Sequence, residues 1–123
     1  MSVVVYSGKS SASIRQIESV VEQVAPEHGV SVCRDLRTLR QRLYGSRENH
    51  RIAILNAADR NELEGLVLLR DLLSDIRVVL IVPDQDEIMV SLAHRLQPRF
   101  LARANGDWDE IRMVLGNMIR FYR

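Results

Sequence analysis

The chain has few of the residues that stabilise small secreted or fibrous proteins. It contains one cysteine among 123 residues, so no disulfide can form within it, and we expect a reducing, cytoplasmic location. With only three prolines and six glycines it has no linker or low-complexity segment, and we predict one domain over residues 1–123. No apolar run reaches the roughly 18 residues of a membrane-spanning helix, and no charged leader precedes an apolar stretch.

An excess of one charge is also lacking. Lys and Arg number 17 and Asp and Glu 16, a formal net charge of +1, which gives no general electrostatic reason to bind nucleic acid. Residues 34–51 are locally basic because they contain six arginines against Asp35 and Glu48. This region is a candidate surface for an acidic partner, although a solvated helix face is the simpler interpretation.

Five short apolar runs alternate with helical patterns. The runs are residues 3–6, 30–33, 52–55, 78–82 and 100–102, and most are apolar throughout, as in strands buried on both faces. The segments between them have apolar residues spaced near 3.6, which suits the crossover helices of a parallel sheet. We predict an α/β fold: a single (βα)5 flavodoxin-like, doubly wound parallel sheet in three layers, α/β/α.

The helical segments carry identifiable caps and apolar stripes. The first is predicted over 11–25, and the second turns Leu36, Leu39 and Leu43 inward. The third is predicted to run uninterrupted from an N-cap at Asp59 or Asn61 to Asp75. The fourth carries the apolar residues Ile88, Leu92, Ala93 and Leu96, and the fifth begins at Asp107, whose side chain is placed to accept the amide of Asp109 or Glu110.

Two stretches resemble the receiver domain of two-component response regulators. Residues 64–73 followed by 78–82 are similar to the family's Gly-Leu-containing helix and its apolar fourth strand. Residues 96–103 leading into 107–111 are similar to its fifth strand, basic residue and last helix. The resemblance covers nearly the whole chain and implies the receiver fold and a role in bacterial signal transduction.

The resemblance places other residues where this family carries out phosphoryl chemistry. The acidic metal-binding pair would fall among Tyr6, Ser7 and Gly8, the acceptor aspartate at Asn56 or Ala57, the hydroxyl at Val82 or Pro83 and the lysine at Arg103. Neither an amide nor a methyl group forms an acyl phosphate, and Mg²⁺ prefers anionic oxygens. The resemblance therefore implies a pseudo-receiver that is not an enzyme and holds no metal or cofactor.

A different use of the same strand ends stays open. Lys9, Asn56 and Arg103 could converge there to hold an anion, as in a flavodoxin-like small-ligand sensor or enzyme, or the cations could pair with Asp59 or Asp84. Asp59, Asp84 and Asp86 themselves are interpreted as solvated or capping carboxylates rather than as metal ligands.

The resemblance also implies where protein partners bind, because receivers commonly use the face made by the fourth helix, fifth strand and fifth helix. The residues predicted on that face are Met89, His94, Arg95, Arg99, Phe100, Arg112, Met113, Phe121 and Tyr122. We expect a phosphorylation-independent receiver-like module that acts by protein–protein interaction, either alone or as the regulatory domain of a response or transcriptional regulator. A homodimer stays open, and direct binding of nucleic acid or membrane is not expected.

Overall fold

The structure of the protein is a computed structural model. It describes residues 2–8, 11–24, 29–45 and 50–121, with the side chains of 2, 11–13, 45, 50, 51 and 121 outside that description. The predicted anion ligand Lys9 and the predicted interface residue Tyr122 lie outside the described residues, as does the side chain of Phe121.

The fold is built on five parallel strands in one sheet. The strands are β1 (Ser2–Ser7), β2 (Gly29–Cys33), β3 (His50–Asn56), β4 (Arg77–Val82) and β5 (Phe100–Arg103), in the order β2-β1-β3-β4-β5. The three central strands are buried on both faces, which is why their sequences are almost wholly apolar. At the β2 edge, Val30 and Val32 are partly exposed.

Helices cover both faces of the sheet. They are α1 (Ser11–Val24), α2 (Leu36–Gly45), α3 (Arg60–Val67), α4 (Arg70–Leu73), α5 (Glu87–His94) and α6 (Trp108–Phe121). Residues of α1 and α6 pack with Val3, Val5, Ile54 and Ile81 on one face. Residues of α2 to α5 pack with the alternate side chains Val4, Tyr6, Leu55 and Leu80 on the other. The predicted three-layer parallel α/β fold is confirmed.

The predicted caps are largely confirmed. Asp59 is the N-cap of α3, where its Oδ1 accepts the amide of Glu62 at 2.8 Å. Asp107 Oδ1 accepts the amide of Asp109 at 2.9 Å. In α2, Leu39 is buried and Leu36 and Leu43 are half-buried, with Arg37, Arg40 and Arg42 exposed as the stripe predicts.

The third predicted helix is not continuous, so that prediction was wrong. It is divided at Leu68 and Leu69, where the amide of Leu69 donates to the carbonyl of Leu66 and that of Leu72 to the carbonyl of Leu69. These i to i−3 hydrogen bonds tighten the backbone as in a 3₁₀ turn. The turn places Leu69 and Leu73 in the core and leaves Leu68 82% exposed.

The stripe of α5 differs from the prediction at its first residue only, since Ala93 and Leu96 are buried and Leu92 packs against the core as predicted. Asp86 is the N-cap and its Oδ1 accepts the amide of Met89 at 2.8 Å. From this start Met89, Ala93 and Leu96 face the core, whereas Ile88 is 51% exposed. Ile88 was predicted inward and Met89 outward, and both predictions were wrong: in the first turn of α5 it is Met89 that lies on the same face as Ala93 and Leu96.

No helix among residues 2–8, 11–24, 29–45 and 50–121 is long and apolar enough to cross a membrane.

Alanine substitutions at two leucines near the end of α3 test which of them is packed in the core. Leu66 is fully buried and Leu68 is almost fully exposed. We expect Leu66→Ala to lower the free energy of unfolding by about 2–5 kcal/mol, because it leaves a cavity in the core. Leu68→Ala is the matched control and should change it by less than about 0.5 kcal/mol. Urea unfolding followed by circular dichroism measures both, and equal effects would contradict the assigned faces.

Candidate functional site

The carboxyl ends of the parallel strands form one edge of the sheet, where ligands of doubly wound folds bind. Successive side chains of a strand point to opposite faces, so the residues predicted here separate into two groups. Val5 and Ile54 belong to the α1 and α6 face, which places Ser7 and Asn56, two residues further on, on that same side. Tyr6 points to the other face, toward α3.

Ser7 and Asn56 form a buried polar pair. They are register partners in β1 and β3, and Asn56 Nδ2 donates to Ser7 Oγ at 3.1 Å. Ser7 is fully buried and Asn56 is 2% exposed. Of the two residues predicted at the strand end, Asn56 is the last residue of β3 and Ala57 follows it. The amide of Asn56 is therefore committed to a contact inside the protein.

Tyr6 is joined to a buried carboxylate that the sequence analysis did not select. Glu62, in the first turn of α3, is 6% exposed and its Oε1 accepts the amide of Ala58 at 3.1 Å. The Tyr6 hydroxyl hydrogen-bonds the same carboxylate. Burial raises the pKa of Tyr6 far above its ordinary value, and the negative charge of Glu62 and the hydrogen bond to it raise the pKa further. Tyr6 is therefore a neutral donor.

Gly8 closes this cluster because the two side chains press against its backbone. A Cβ at Gly8 would lie 2.6 Å from Tyr6 Oη and 3.0 Å from Glu62 Oε2. Its carbonyl accepts a hydrogen bond from Arg34 Nη2 at 3.2 Å. Only glycine leaves room for the Tyr6 and Glu62 contact at this point.

The remaining predicted strand-end residues do not join either group. Ala57 and Val82 are buried, and the amide of Ala57 donates to the carbonyl of Ile81. Arg103 ends β5 beside Val82, with its side chain exposed. Its ion pair with Asp59 or Asp84 stays a prediction.

The loop carboxylates of this edge accept hydrogen bonds from backbone amides. Asp59 and Asp86 are N-caps, and Asp84 Oδ1 accepts the amide of Asp86 at 3.1 Å. Within the part of the chain that the structure describes, no three His, Cys, Asp or Glu side chains are grouped so that they could hold a metal ion. The interpretation of these carboxylates as caps fits their contacts.

The predicted partner face lies along the β5 edge, with α5 on one side and α6 on the other. His94, Arg95 and Arg99 are exposed, Phe100 and Arg112 are half-buried, and Met113 is 69% exposed. Arg112 forms an ion pair with Asp109 one turn earlier in α6. Met89 does not belong to this face because its side chain lies on the buried side of α5, in the core.

Glu62 is the residue that sequence reasoning missed. It stands three residues after the N-cap Asp59, the spacing of a capping box, in which a helix side chain returns to the backbone before the helix. That spacing is visible in the sequence and could have marked Glu62 as an internal acceptor. The proximity of Tyr6 could not be read from it, since the two residues are far apart in the chain.

Several solved structures superpose on this chain over nearly its whole length. A two-component response regulator from Legionella pneumophila superposes with a TM-score of 0.76 at 16% identity, covering 98% of this chain and 99% of that one. The signal receiver domain of an HD domain-containing protein from Pseudomonas fluorescens Pf-5 gives 0.77 at 14% identity over 98% and 95%. A LuxR family DNA-binding response regulator from Silicibacter pomeroyi gives 0.74 at 13% over 98% and 93%.

The chain has the fold of a receiver domain. At these identities the likeness shows the fold alone. No protein-family model matches the chain, and no curated protein is detectably similar to it in sequence.

The Tyr6 and Glu62 contact makes stability depend on alkaline pH. Above about pH 10 the unfolded chain loses the Tyr6 proton while the folded chain keeps it, so the free energy of unfolding falls as pH rises. Tyr6→Phe should cost about 1.5–3 kcal/mol at pH 7, since a hydrogen bond to a charged group is lost. The difference in the free energy of unfolding between Tyr6→Phe and the wild-type protein should decrease above pH 10. Tyr44→Phe, at an exposed ring, is the control, and an unchanged pH profile in Tyr6→Phe would contradict the assignment.

Alanine substitutions at two glycines test the effects of close packing and of helix propensity separately. Gly8→Ala places a methyl group against Tyr6 Oη and should lower the free energy of unfolding by about 1–3 kcal/mol. Gly116→Ala, inside α6 with nothing within 4 Å of the added Cβ, should raise it by about 0.5–1 kcal/mol. Thermal and urea unfolding of both variants measure these shifts. A neutral Gly8→Ala would show that the Tyr6 and Glu62 contact is not closely packed on the Gly8 backbone.

Proposed function

We propose that this chain is a phosphorylation-independent, receiver-like signalling module that acts by binding other proteins. The observation that carries the proposal is the strand-end edge of the sheet, where polar side chains are bonded to one another. Ser7 pairs with Asn56, and Tyr6 pairs with Glu62, which also accepts the amide of Ala58. A receiver-like fold with this edge offers a scaffold for binding rather than for group transfer.

The first argument concerns a phosphoryl acceptor. Asn56 ends β3 where the resemblance places the acceptor aspartate, and a carboxamide does not form an acyl phosphate. It is also 2% exposed with its amide engaged by Ser7. Glu62 is a buried carboxylate, chemically similar to an acceptor aspartate, but it already accepts hydrogen bonds from Ala58 and Tyr6. Reaction at Glu62 would break both contacts.

The second argument concerns Mg²⁺. The positions that the resemblance gives to its acidic ligands hold a phenol, Tyr6, and a hydroxyl, Ser7, both buried. Neither supplies the anionic oxygen that Mg²⁺ prefers. Asp59, the carboxylate nearest in sequence to the end of β3, caps α3. We infer that the module works without a bound metal.

The partner surface proposed here is the β5 edge with the exposed sides of α5 and α6. It presents Arg95 and Arg99 beside the half-buried Phe100, and Met113 from α6. A surface that exposes a methionine and arginines suits a partner with apolar and acidic side chains. Association of two copies through α6 is one form of this proposal, and service as the regulatory domain of a response or transcriptional regulator in the bacterial cytoplasm is another.

The alternative, an anion or small-ligand site at Lys9, Asn56 and Arg103, has less support. Asn56 is buried and committed to Ser7, whereas Arg103 is exposed at the end of β5. No contact among the described residues draws these two side chains together.

Phosphoryl labelling tests the proposal. We expect no added phosphoryl group on the intact mass after incubation with Mg²⁺ and acetyl phosphate, because Asn56 is an amide and the nearby Asp59 and Asp86 cap helices. Asn56→Asp should also stay unlabelled, since the buried Tyr6 and Ser7 still provide no metal ligands.

A working receiver domain, labelled in parallel, is the positive control. A phosphoryl group on the wild-type chain, located by tandem mass spectrometry at Asp59 or another loop carboxylate, would refute phosphorylation independence. Labelling of Asn56→Asp alone would show that the acceptor is the single missing element.

A further inference from the structure

A groove of about 500 Å³ lies between α2 and the α3–α4 segment, away from the β5 edge. Leu36, Gly65, Leu69 and Leu72 line it. Its walls carry Arg37, Arg40 and Tyr44 from α2, and Leu68 and Asp71 from the other side. We name it the α2–α4 groove.

Gly65 determines the floor of the groove. A Cβ at Gly65 would lie 2.3 Å from Leu36 Cδ1, so the glycine lets Leu36 lie directly on α3. Arg40 and Tyr44 on α2, and Leu68 at the turn into α4, line the same groove beyond this contact. The groove therefore has an apolar floor between walls that come from two helical segments.

Both walls expose large apolar groups. Leu68 is 82% exposed and Tyr44 is 76% exposed. The turn at Leu68 and Leu69 creates this arrangement, since it buries Leu69 and directs Leu68 outward. Apolar side chains that face each other across a groove with polar rims are typical of binding sites for other proteins.

The charge on the rim selects the kind of partner. Arg37 and Arg40 lie one turn apart on α2, in line with Tyr44, and both are exposed. Asp71 opposes them on the other wall, which leaves an excess of one positive charge. Glu64, an exposed carboxylate of α3, pairs with Arg60 at 2.9 Å. The rim is thus complementary to a negatively charged ligand that also carries apolar groups.

We propose that the α2–α4 groove binds an acidic amphipathic helix of a partner protein. The groove is walled by helix side chains and offers no free strand edge, so the matching mode is a helix laid in a groove. From Arg37 to Tyr44 the wall is about 10 Å long at a rise of 1.5 Å per residue, which is the length of about two turns of a bound helix. Apolar side chains one turn apart would contact Leu68 and Tyr44, and flanking carboxylates would pair with Arg37 and Arg40.

This inference deepens the proposed function, on which it rests for the idea that the module binds proteins, and it adds a second surface with its own partner chemistry. Nucleic acid fits less well, because Asp71 and Leu68 interrupt the basic rim and the net charge of the chain is only +1.

Nuclear magnetic resonance tests the groove on the intact chain. The probe is a synthetic helical peptide of about four turns with leucines on one face and glutamates on the other. We expect its titration into the ¹⁵N-labelled protein to shift amide resonances of α2, α3 and α4. A peptide with every glutamate replaced by lysine should bind at least tenfold more weakly.

Matched variants distinguish peptide binding in this groove from nonspecific binding. Arg40→Glu and Leu68→Ser should each weaken binding at least tenfold, whereas Arg15→Glu and Gln16→Ser on α1 should not. All four positions are exposed, so each variant should keep the wild-type spectrum outside its own surroundings.

Shifts confined to the β5 edge, equal binding of the lysine peptide, or no shift at millimolar peptide would overturn the α2–α4 groove as a docking site. So would tighter binding of duplex DNA at the same residues, or self-association that competes with the peptide. None of these results depends on phosphoryl labelling, so a failed groove and a failed phosphorylation-independent function give different outcomes.

Discussion

The structure depends on the burial of β1, β3 and β4 on both faces of the sheet. Strands that are apolar on both sides need helices above and below, and parallel strands are what crossover helices can connect. That arrangement brings the carboxyl ends of the central strands to one edge beneath the helix starts. Any polar side chain at the last strand positions is therefore half inside the core and must find a partner there.

The polar residues at this edge meet that requirement in two separate ways. Asn56 and Ser7 satisfy one another on the α1 and α6 side. On the α3 side Tyr6 donates to Glu62, and the pKa of Tyr6 is raised because burial and the charge of Glu62 both oppose its ionisation. Since an unpaired buried polar group costs about 1–3 kcal/mol, each pair resists replacement of one member alone. The contacts that stabilise the edge therefore engage these polar side chains within the protein.

The sequence was sufficient for the fold and insufficient for details that depend on local hydrogen bonding. The parallel strands and the three layers follow from apolar runs and helical periods, which are averages over many residues. The turn at Leu68 has no proline or glycine to mark it, and the residue that begins α5 depends on the cap in which Asp86 accepts the amide of Met89. At the site, Asn56 and Ser7 were predicted as strand-end residues, but Glu62 was not selected, because its contact with Tyr6 joins distant parts of the chain.

Helix α3 connects the two regions on which the proposals rest. Its first turn carries Glu62, in contact with Tyr6 and Ala58, and its later part carries Gly65 and leads to Leu68 in the α2–α4 groove. In the proposed phosphorylation-independent module, a change of state needs a ligand that binds two arrangements unequally. A partner helix bound in the proposed groove would contact α3, the same helix that contributes Glu62 to the strand-end network. Each tenfold difference in its affinity for two positions of α3 would change their equilibrium by about 1.4 kcal/mol, comparable to one hydrogen bond of that network.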